Sequence, residues 1–344
     1  MIYGANGYTG ELIARHAQQK KLTPILGGRS KKAILDLATE LDLPYRVFDL
    51  NNENAVLKNL SDVTCVLNCA GPFSKTAEKL VNACLTSNTH YLDITGEIEV
   101  FEKLHSLHDK AVQSGVKLLP GVGFDVVPTD CLAAMLSRRL PGAQSLDLAF
   151  TGSRSVSKGT LKTMIENLHK GGMIRANGKL KKVPQAYDSK TVAFSCGERL
   201  VTTIPWGDVS TAFYSTGIPD IRAYTQVPSF MRYGAPLLSA ARPLLKRSLV
   251  IRLLQSWVEK NTEGPNEKAR SQKRMFLWGR VKKGDTFIKQ TLDTAEGYQF
   301  TVFAATLAVE KVLNGKTEPG FFTPSLAFGE NFVLEVPGTT LQDN

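Results

Sequence analysis

The chain has 344 residues, a net charge of +10 and 42% hydrophobic residues. That length allows two domains and a substantial core, and the composition excludes a low-complexity or disordered chain. No apolar run reaches the roughly 18–20 residues of a membrane-spanning helix, no nucleic-acid-binding motif is present, and the positive charge suits phosphorylated or carboxylate ligands or an anionic membrane surface.

The five cysteines (Cys65, Cys69, Cys84, Cys131 and Cys196) are scattered, with no C-x-x-C pair. That argues against a zinc site or a disulfide framework and for a reducing compartment. The chain runs straight into a glycine motif, so no signal peptide is expected. A cytoplasmic location is the expectation, with a peripheral membrane contact left open.

Residues 1–10 read M-I-Y-G-A-N-G-Y-T-G, with an apolar lead-in and a helical pattern behind. That is strand, tight turn, helix. Such glycines let the backbone come close to a pyrophosphate, whose charge then sits on the N–H groups at the helix N-terminus. Gly4, Ala5, Asn6, Gly7, Tyr8, Thr9 and Gly10 are therefore the first candidate cofactor-binding residues. Only Met1, Ile2 and Tyr3 precede Gly4, where a strand of about five or six residues is usual. Either the first strand is short or clipped, or the natural start lies upstream.

A helix is expected over residues 10–20, then a short buried strand over 22–27 that ends in Gly27-Gly28-Arg29-Ser30. Here, roughly 20–25 residues after the glycine turn, an NAD-binding fold places an acid on the ribose 2′-hydroxyl. No acid is present. A guanidinium can clamp a 2′-phosphate, so Arg29 and Ser30 favour NADP (as NADPH) over NAD. Lys31 and Lys32 read as the start of a solvated helix.

Helices are expected at 33–41, 54–60, 76–87 and 98–114, and strands at 45–48, 64–69, 90–94 and 117–119. Asp49, at the end of its strand, is a candidate adenine contact. Ligands of an open parallel sheet lie beyond the carboxyl ends of the strands. Cys69, Ala70, Gly71 and Pro72 should thus run past the pyrophosphate toward the nicotinamide, the small residues permitting close approach. The alternation is that of a doubly wound α/β domain. Val127-Pro128-Thr129-Asp130 opens a further helix, with Thr129 or Asp130 as a cap candidate.

Beyond Gly142 the pattern changes. Strands are expected at 146–151, 191–196, 199–204 and 221–227, a helix at 157–169, and a glycine- and lysine-rich loop at 170–188. A hairpin is expected around Gly197-Glu198, and a longer one over 272–283 and 285–292 turning at Lys283-Gly284. Residues 230–257, rich in Leu, Arg and Lys, read as a membrane-surface segment, a cover over an acyl-chain pocket, or an ordinary helical cover. Residues 259–273 read as a charged linker. A helix at 297–313 closes on Asn314-Gly315. A loop at 320–328 and a final strand at 332–336 follow. The expected fold is α/β: an N-terminal Rossmann domain and a second α+β domain with a mixed or antiparallel sheet. The expected division is residues 1–130, 131–295 and 296–344, the last packing back across the first.

Five segments carry a resemblance: G-A-N-G-Y-T-G at 4–10, G-G-R-S at 27–30, N-C-A-G-P-F at 68–73, Y-L-D-I-T-G-E at 91–97 and P-G-V-G-F-D-V-V-P-T-D at 120–130. Together they resemble the saccharopine dehydrogenase-like oxidoreductases, and more closely the bacterial branch that includes trans-acting enoyl reductases. The resemblance implies an NAD(P)-binding Rossmann domain and a second domain that lines the substrate cleft and often makes a homodimer.

A reductase needs a hydride donor about 3–3.5 Å from its acceptor carbon, and a proton source. Near the expected nicotinamide end stand Cys69, Phe73, Tyr91, Asp93, Glu97, Phe124 and Asp125. Asp125 and Glu97 are the first candidates for acid or for substrate orientation, and either needs a raised pKa. The competing reading is that Asp93 and Asp125 only cap helices or hold loops. The Tyr-x-x-x-Lys motif of short-chain dehydrogenases is absent. His105 and His108 have no apparent third ligand, so no metal is expected. Three functions stay open: an NADPH-dependent reductase of an unsaturated, acyl-type (lipid-linked) small molecule; an imine or amino-acid reductase like saccharopine dehydrogenase, with Arg154, Arg175 and Arg222 as loose carboxylate-binding candidates; and a non-catalytic NADP-binding sensor or scaffold.

Overall fold

In a computed structural model the described residues are 1–152, 171–226, 267–315 and 317–342, with isolated helical positions between them. The expected helix at 157–169, Arg154 and the basic apolar stretch at 230–257 lie outside them. The chain forms two compact units, Met1–Val127 with Tyr298–Val336, and Pro128–Gly297 with Pro337–Asn344.

The first unit alternates strand and helix: β1 (Ile2–Tyr3), α1 (Tyr8–Gln19), β2 (Leu26–Gly28), α2 (Lys31–Leu41), β3 (Tyr45–Val47), α3 (Glu53–Leu60), β4 (Cys65–Asn68), α4 (Phe73–Ser87), β5 (His90–Asp93), α5 (Ile98–His105), α6 (His108–Gln113) and β6 (Lys117–Leu119). The strands are parallel and ordered β3-β2-β1-β4-β5-β6, with Gly320–Phe321 added beyond β6. This is the Rossmann order, in which the chain reverses direction between β1 and β4. β1 is only two residues long, yet it is buried and paired on both sides: Ile2 lies against Leu26 and Leu67. The Gly4 N–H donates to the Gly27 carbonyl and the Cys69 N–H to the Tyr3 carbonyl, so the ladder holds a short central strand in register.

Three local expectations are corrected here. The helix expected at 98–114 is two, α5 and α6, separated where the Ser106 hydroxyl turns back onto the Lys103 carbonyl. The loop expected at 320–328 contains the sheet-edge strand Gly320–Phe321 and the helix Pro324–Phe328. The strand expected at 332–336 is a 3₁₀ helix, Glu330–Glu335. Phe332 and Val333 are both buried, and Phe332 packs on Phe328 with ring centroids 4.6 Å apart.

The second unit contains most of α7 (Val127–Arg139), then β7 (Ser145–Gly152), β8 (Gly172–Ala176), β9 (Lys179–Val183), β10 (Ser189–Phe194), β11 (Gly197–Ile204), a helix at Asp208–Thr216, β12 (Asp220–Thr225), β13 (Arg274–Lys283) and β14 (Thr286–Ala295). Its sheet runs β10-β11-β12-β7-β13-β14, closed at one edge by Thr340–Gln342, with β8–β9 attached to β12. β12 and β7 are parallel and the other pairs antiparallel, so the sheet is mixed. One face takes α7: a Cβ at Gly279 would lie 2.5 Å from Leu136 Cδ1, so any larger residue there would have to displace the Leu136 side chain.

The loop expected at 170–188 is mostly the β8–β9 hairpin. Its turn is Asn177-Gly178, with φ of 50° and 74°, the left-handed pair of a type I′ turn. The β10–β11 hairpin turns at Ser195-Cys196 rather than at Gly197-Glu198. The hairpin of β13 and β14 turns at Gly284-Asp285.

Candidate functional site

The expected cofactor residues and both acid candidates lie at the carboxyl end of the parallel sheet, on loops or, for Tyr8, Thr9 and Gly10, in the first turn of α1. Gly4 has φ +81°, and a Cβ there would lie 2.8 Å from the Ala70 nitrogen. The turn after β1 and the turn after β4 therefore touch where the strand order reverses. A Cβ at Gly10 would lie 2.3 Å from the Gly4 carbonyl oxygen, so α1 begins directly against the turn. Gly7 is exposed at the helix N-cap, and no side chain caps the helix. Asn6 is exposed, and its carboxamide oxygen lies over Gly28. Tyr8 and Thr9 open the helix, and the Tyr8 ring meets Tyr298 edge-on at 5.0 Å. Ala5 is fully buried beneath, its N–H donating to Gly27.

Arg29 and Ser30 are exposed just past β2, Ser30 being the N-cap of α2. Asp49 is exposed past β3 and accepts from the Asn51 N–H at 2.9 Å. Cys69 and Ala70 are half-buried after β4, Gly71 is exposed, and Pro72 caps α4. Burial pushes the Cys69 thiol well up, so it is not a thiolate at neutral pH.

Beneath these loops runs a buried polar network that composition alone does not reveal. Asp93 is fully buried. Its Oδ1 accepts from the N–H groups of Thr95 (3.0 Å) and Gly121 (2.9 Å), and its Oδ2 from the Tyr91 hydroxyl at 2.8 Å. Asn68 Nδ2 donates to Tyr91 Oη at 3.1 Å, while its Oδ1 accepts from the Ala70 N–H. One network thus fixes the loops after β4, β5 and β6. Burial raises Asp93 to about 6 although its N–H donors pull the other way.

The two acid candidates differ. Both Glu97 oxygens are engaged, accepting from the backbone N–H of Phe73 (2.7 Å) and Ser74 (3.0 Å), so Glu97 holds the first turn of α4 against the loop after β5. Asp125 is half-buried against Gly96, where a Cβ would lie 2.9 Å from Asp125 Oδ2, and its burial raises it to about 7. The loop carrying it is pinned from the far end of the chain: the Phe124 N–H donates to Thr301 Oγ1 at 3.0 Å, and Phe124 packs edge-on to Phe300.

The other candidates are held differently. His105 packs edge-on to Phe321, and His108 hydrogen bonds to the backbone of Phe321. Arg175 is buried, donating to the Val209 and Gly178 carbonyls and stacking on Phe213. Arg222 pairs with Asp188 at 3.1 Å. Both therefore have structural partners.

Residues 1–119 match the model of the saccharopine dehydrogenase NADP-binding domain. A saccharopine dehydrogenase-like oxidoreductase of Rattus norvegicus is 27% identical over 54% of this chain and 50% of its own length. A trans-acting enoyl reductase of Mycobacterium leprae is 31% identical over 41% of this chain and 35% of its own length. The chain spans about half the length of the curated relatives it matches, or less. Apo saccharopine dehydrogenase (L-Glu forming) of Saccharomyces cerevisiae superposes with a TM-score of 0.67 at 10% identity, covering 99% of both chains, a likeness of fold. Residues 1–119 of the first unit thus combine a parallel sheet of Rossmann order with a match to an NADP-binding domain. Over these shares the chain is similar to saccharopine dehydrogenase-like oxidoreductases. Among the described residues no helix is long and apolar enough to cross a membrane.

Proposed function

We propose that the chain is an NADPH-dependent reductase, with cofactor binding in the first unit and substrate selection and self-association in the second. The observation that carries the proposal is the contact of Gly4 with Ala70 at the reversal of strand order, beside an α1 N-terminus that no side chain caps. Exposed Gly7 leaves space over that N-terminus, and the turn residues Gly4, Ala5, Asn6, Gly7, Tyr8, Thr9 and Gly10 fit a pyrophosphate. Arg29 and Ser30, with no acid at the end of β2, fit a 2′-phosphate. In this reading Asp49 takes the adenine side, and Cys69, Ala70, Gly71 and Pro72 the nicotinamide side. Bound NADPH supplies a hydride. Asp125, near neutrality, can hold a proton at physiological pH and give it to the substrate heteroatom. Glu97 is a positioning residue for α4.

For the substrate, a C=N bond between an amine and an oxo acid is better supported than an unsaturated acyl chain. The family model and several curated relatives carry the saccharopine dehydrogenase name. The acyl reading leans on residues 230–257, which lie outside the described structure. The test is NADPH consumption with amine and 2-oxo acid pairs, beside a panel of enoyl thioesters. Turnover of the pairs is the expected result. Turnover of enoyl thioesters alone moves the assignment to the acyl reading, and NADPH binding without turnover of either moves it to a sensor.

A further inference from the structure

The second unit has an opening of its own. The β10–β11 hairpin curls over the sheet face that α7 leaves uncovered. Lys190 Nζ lies 4.0 Å from the Tyr224 ring centre and 5.2 Å from that of Trp278, and it pairs with Asp147 on β7 at 2.7 Å. Ser195, in the hairpin turn, donates to Asp293 on β14. The curl encloses a small apolar core of Ala149, Val192, Phe194, Val201, Tyr224 and Trp278, against which Cys196 and Phe276 pack. At one end it stays open, as a cleft of about 500 Å³.

The lining of that cleft has one sign of charge. Arg199, Lys273 and Arg274 border it, and no carboxylate lines it among the described residues. Asp293, just behind, is buried and accepts from Ser195 and from Gln342 Nε2. The two guanidinium groups are anchored by carbonyl oxygens: Arg199 donates to the carbonyls of Glu198 and Cys196, and Arg274 to that of Gly338. Such anchors orient a guanidinium without neutralising it, and one or two bonds do not exhaust its five donors. Thr151 Oγ1 donates to Gln226 Oε1 at 2.7 Å, which leaves the Gln226 NH₂ as a further donor. A mouth rich in oriented donors, floored by Phe276 and Cys196, is a site for an oxyanion on a small apolar body.

We propose that this cleft binds the carboxylate or phosphate of a small molecule, with Arg199 and Arg274 as its principal contacts. The site does not rest on the reductase reading, because it is built wholly from the second unit. The experiment is calorimetric titration of the full chain with succinate and, separately, inorganic phosphate, using wild type and the Arg199→Gln, Arg274→Gln double variant. Saturable binding of either anion is expected, weakened about tenfold or more in the double variant, as loss of a charge-assisted hydrogen bond entails. Phosphate alone would identify a phosphorylated ligand, succinate alone a carboxylate, and either supports the site. If the double variant melts early, Thr151→Val serves instead: it releases the Gln226 amide and should weaken the same anion severalfold. No binding of either anion overturns the proposal. So does binding unchanged in these variants, the behaviour of phosphate lodged at the glycine turn.

Discussion

Asp125, the proposed proton donor, also bears on stability. Its burial lifts it to about 7, against a reference carboxyl of about 3.9 in an unfolded chain. Folding therefore raises its proton affinity. Its favourable contribution is complete below the unfolded pKa and is lost as pH rises through about 7. Asp93, lifted to about 6, has the same sign. Asp125→Asn removes the titration and keeps the shape. The variant should gain melting temperature relative to wild type as pH goes from about 4 to about 8. It should also lose about 100-fold or more in kcat/KM, the usual contribution of a positioned acid. A melting difference that does not change with pH would rule out the raised pKa. Glu97, the other acid legible as a candidate, is distinguished only by the folded structure: its oxygens are taken by the Phe73 and Ser74 N–H groups, a pairing across 24 residues that local pattern does not encode.

At the scale of elements, the join between β1 and α1 is the critical one. A methyl at Gly10 would meet the Gly4 carbonyl at 2.3 Å, a backbone atom that cannot swing aside. Gly10→Ala should cost about 1–3 kcal/mol of stability, as overpacking does, and should abolish measurable NADPH binding. Urea unfolding and cofactor titration read the two effects, and unchanged binding would contradict the close packing of helix on turn. Glu97→Ala tests the next join. Losing the two bonds to the α4 terminus should cost about 1–2 kcal/mol, in the range of a lost cap, and should weaken NADPH binding by loosening the loop of Cys69 to Pro72. An unchanged unfolding midpoint would show that the cap is dispensable. Elements with strong periodicity are legible in sequence, among them α1, α4 and the β13–β14 hairpin, and the helix Gly297–Leu313 is legible by its length and its Asn314-Gly315 stop. The β8–β9 hairpin was open to reading through Asn177-Gly178, but its lysines and glycines read as a loop. Gly320–Phe321 carries no strand pattern at all, because two residues cannot show alternation and its partner, β6, lies two hundred residues earlier.

Across the whole molecule, the glycine turn and the change from a parallel to a mixed sheet can be read from residues, because both leave local patterns. What residues do not disclose is assembled over distance. The network of Asn68, Tyr91 and Asp93 joins three loops. Thr301 reaches back to the Phe124 N–H from 177 residues away. The basic cleft of Arg199 and Arg274 comes from strands that meet only because the sheet curls. The central claim is that the first unit binds NADPH through the glycine turn and Arg29, and titration of the purified chain with NADPH and NADH, wild type beside Arg29→Ala, tests it most directly. NADPH should bind more tightly than NADH. Arg29→Ala should weaken NADPH about 10–100-fold, the range for a charge-assisted contact to phosphate, and should leave NADH unchanged. If wild type binds neither dinucleotide, the cofactor assignment is wrong. If Arg29→Ala weakens both equally, the guanidinium is not reading a 2′-phosphate.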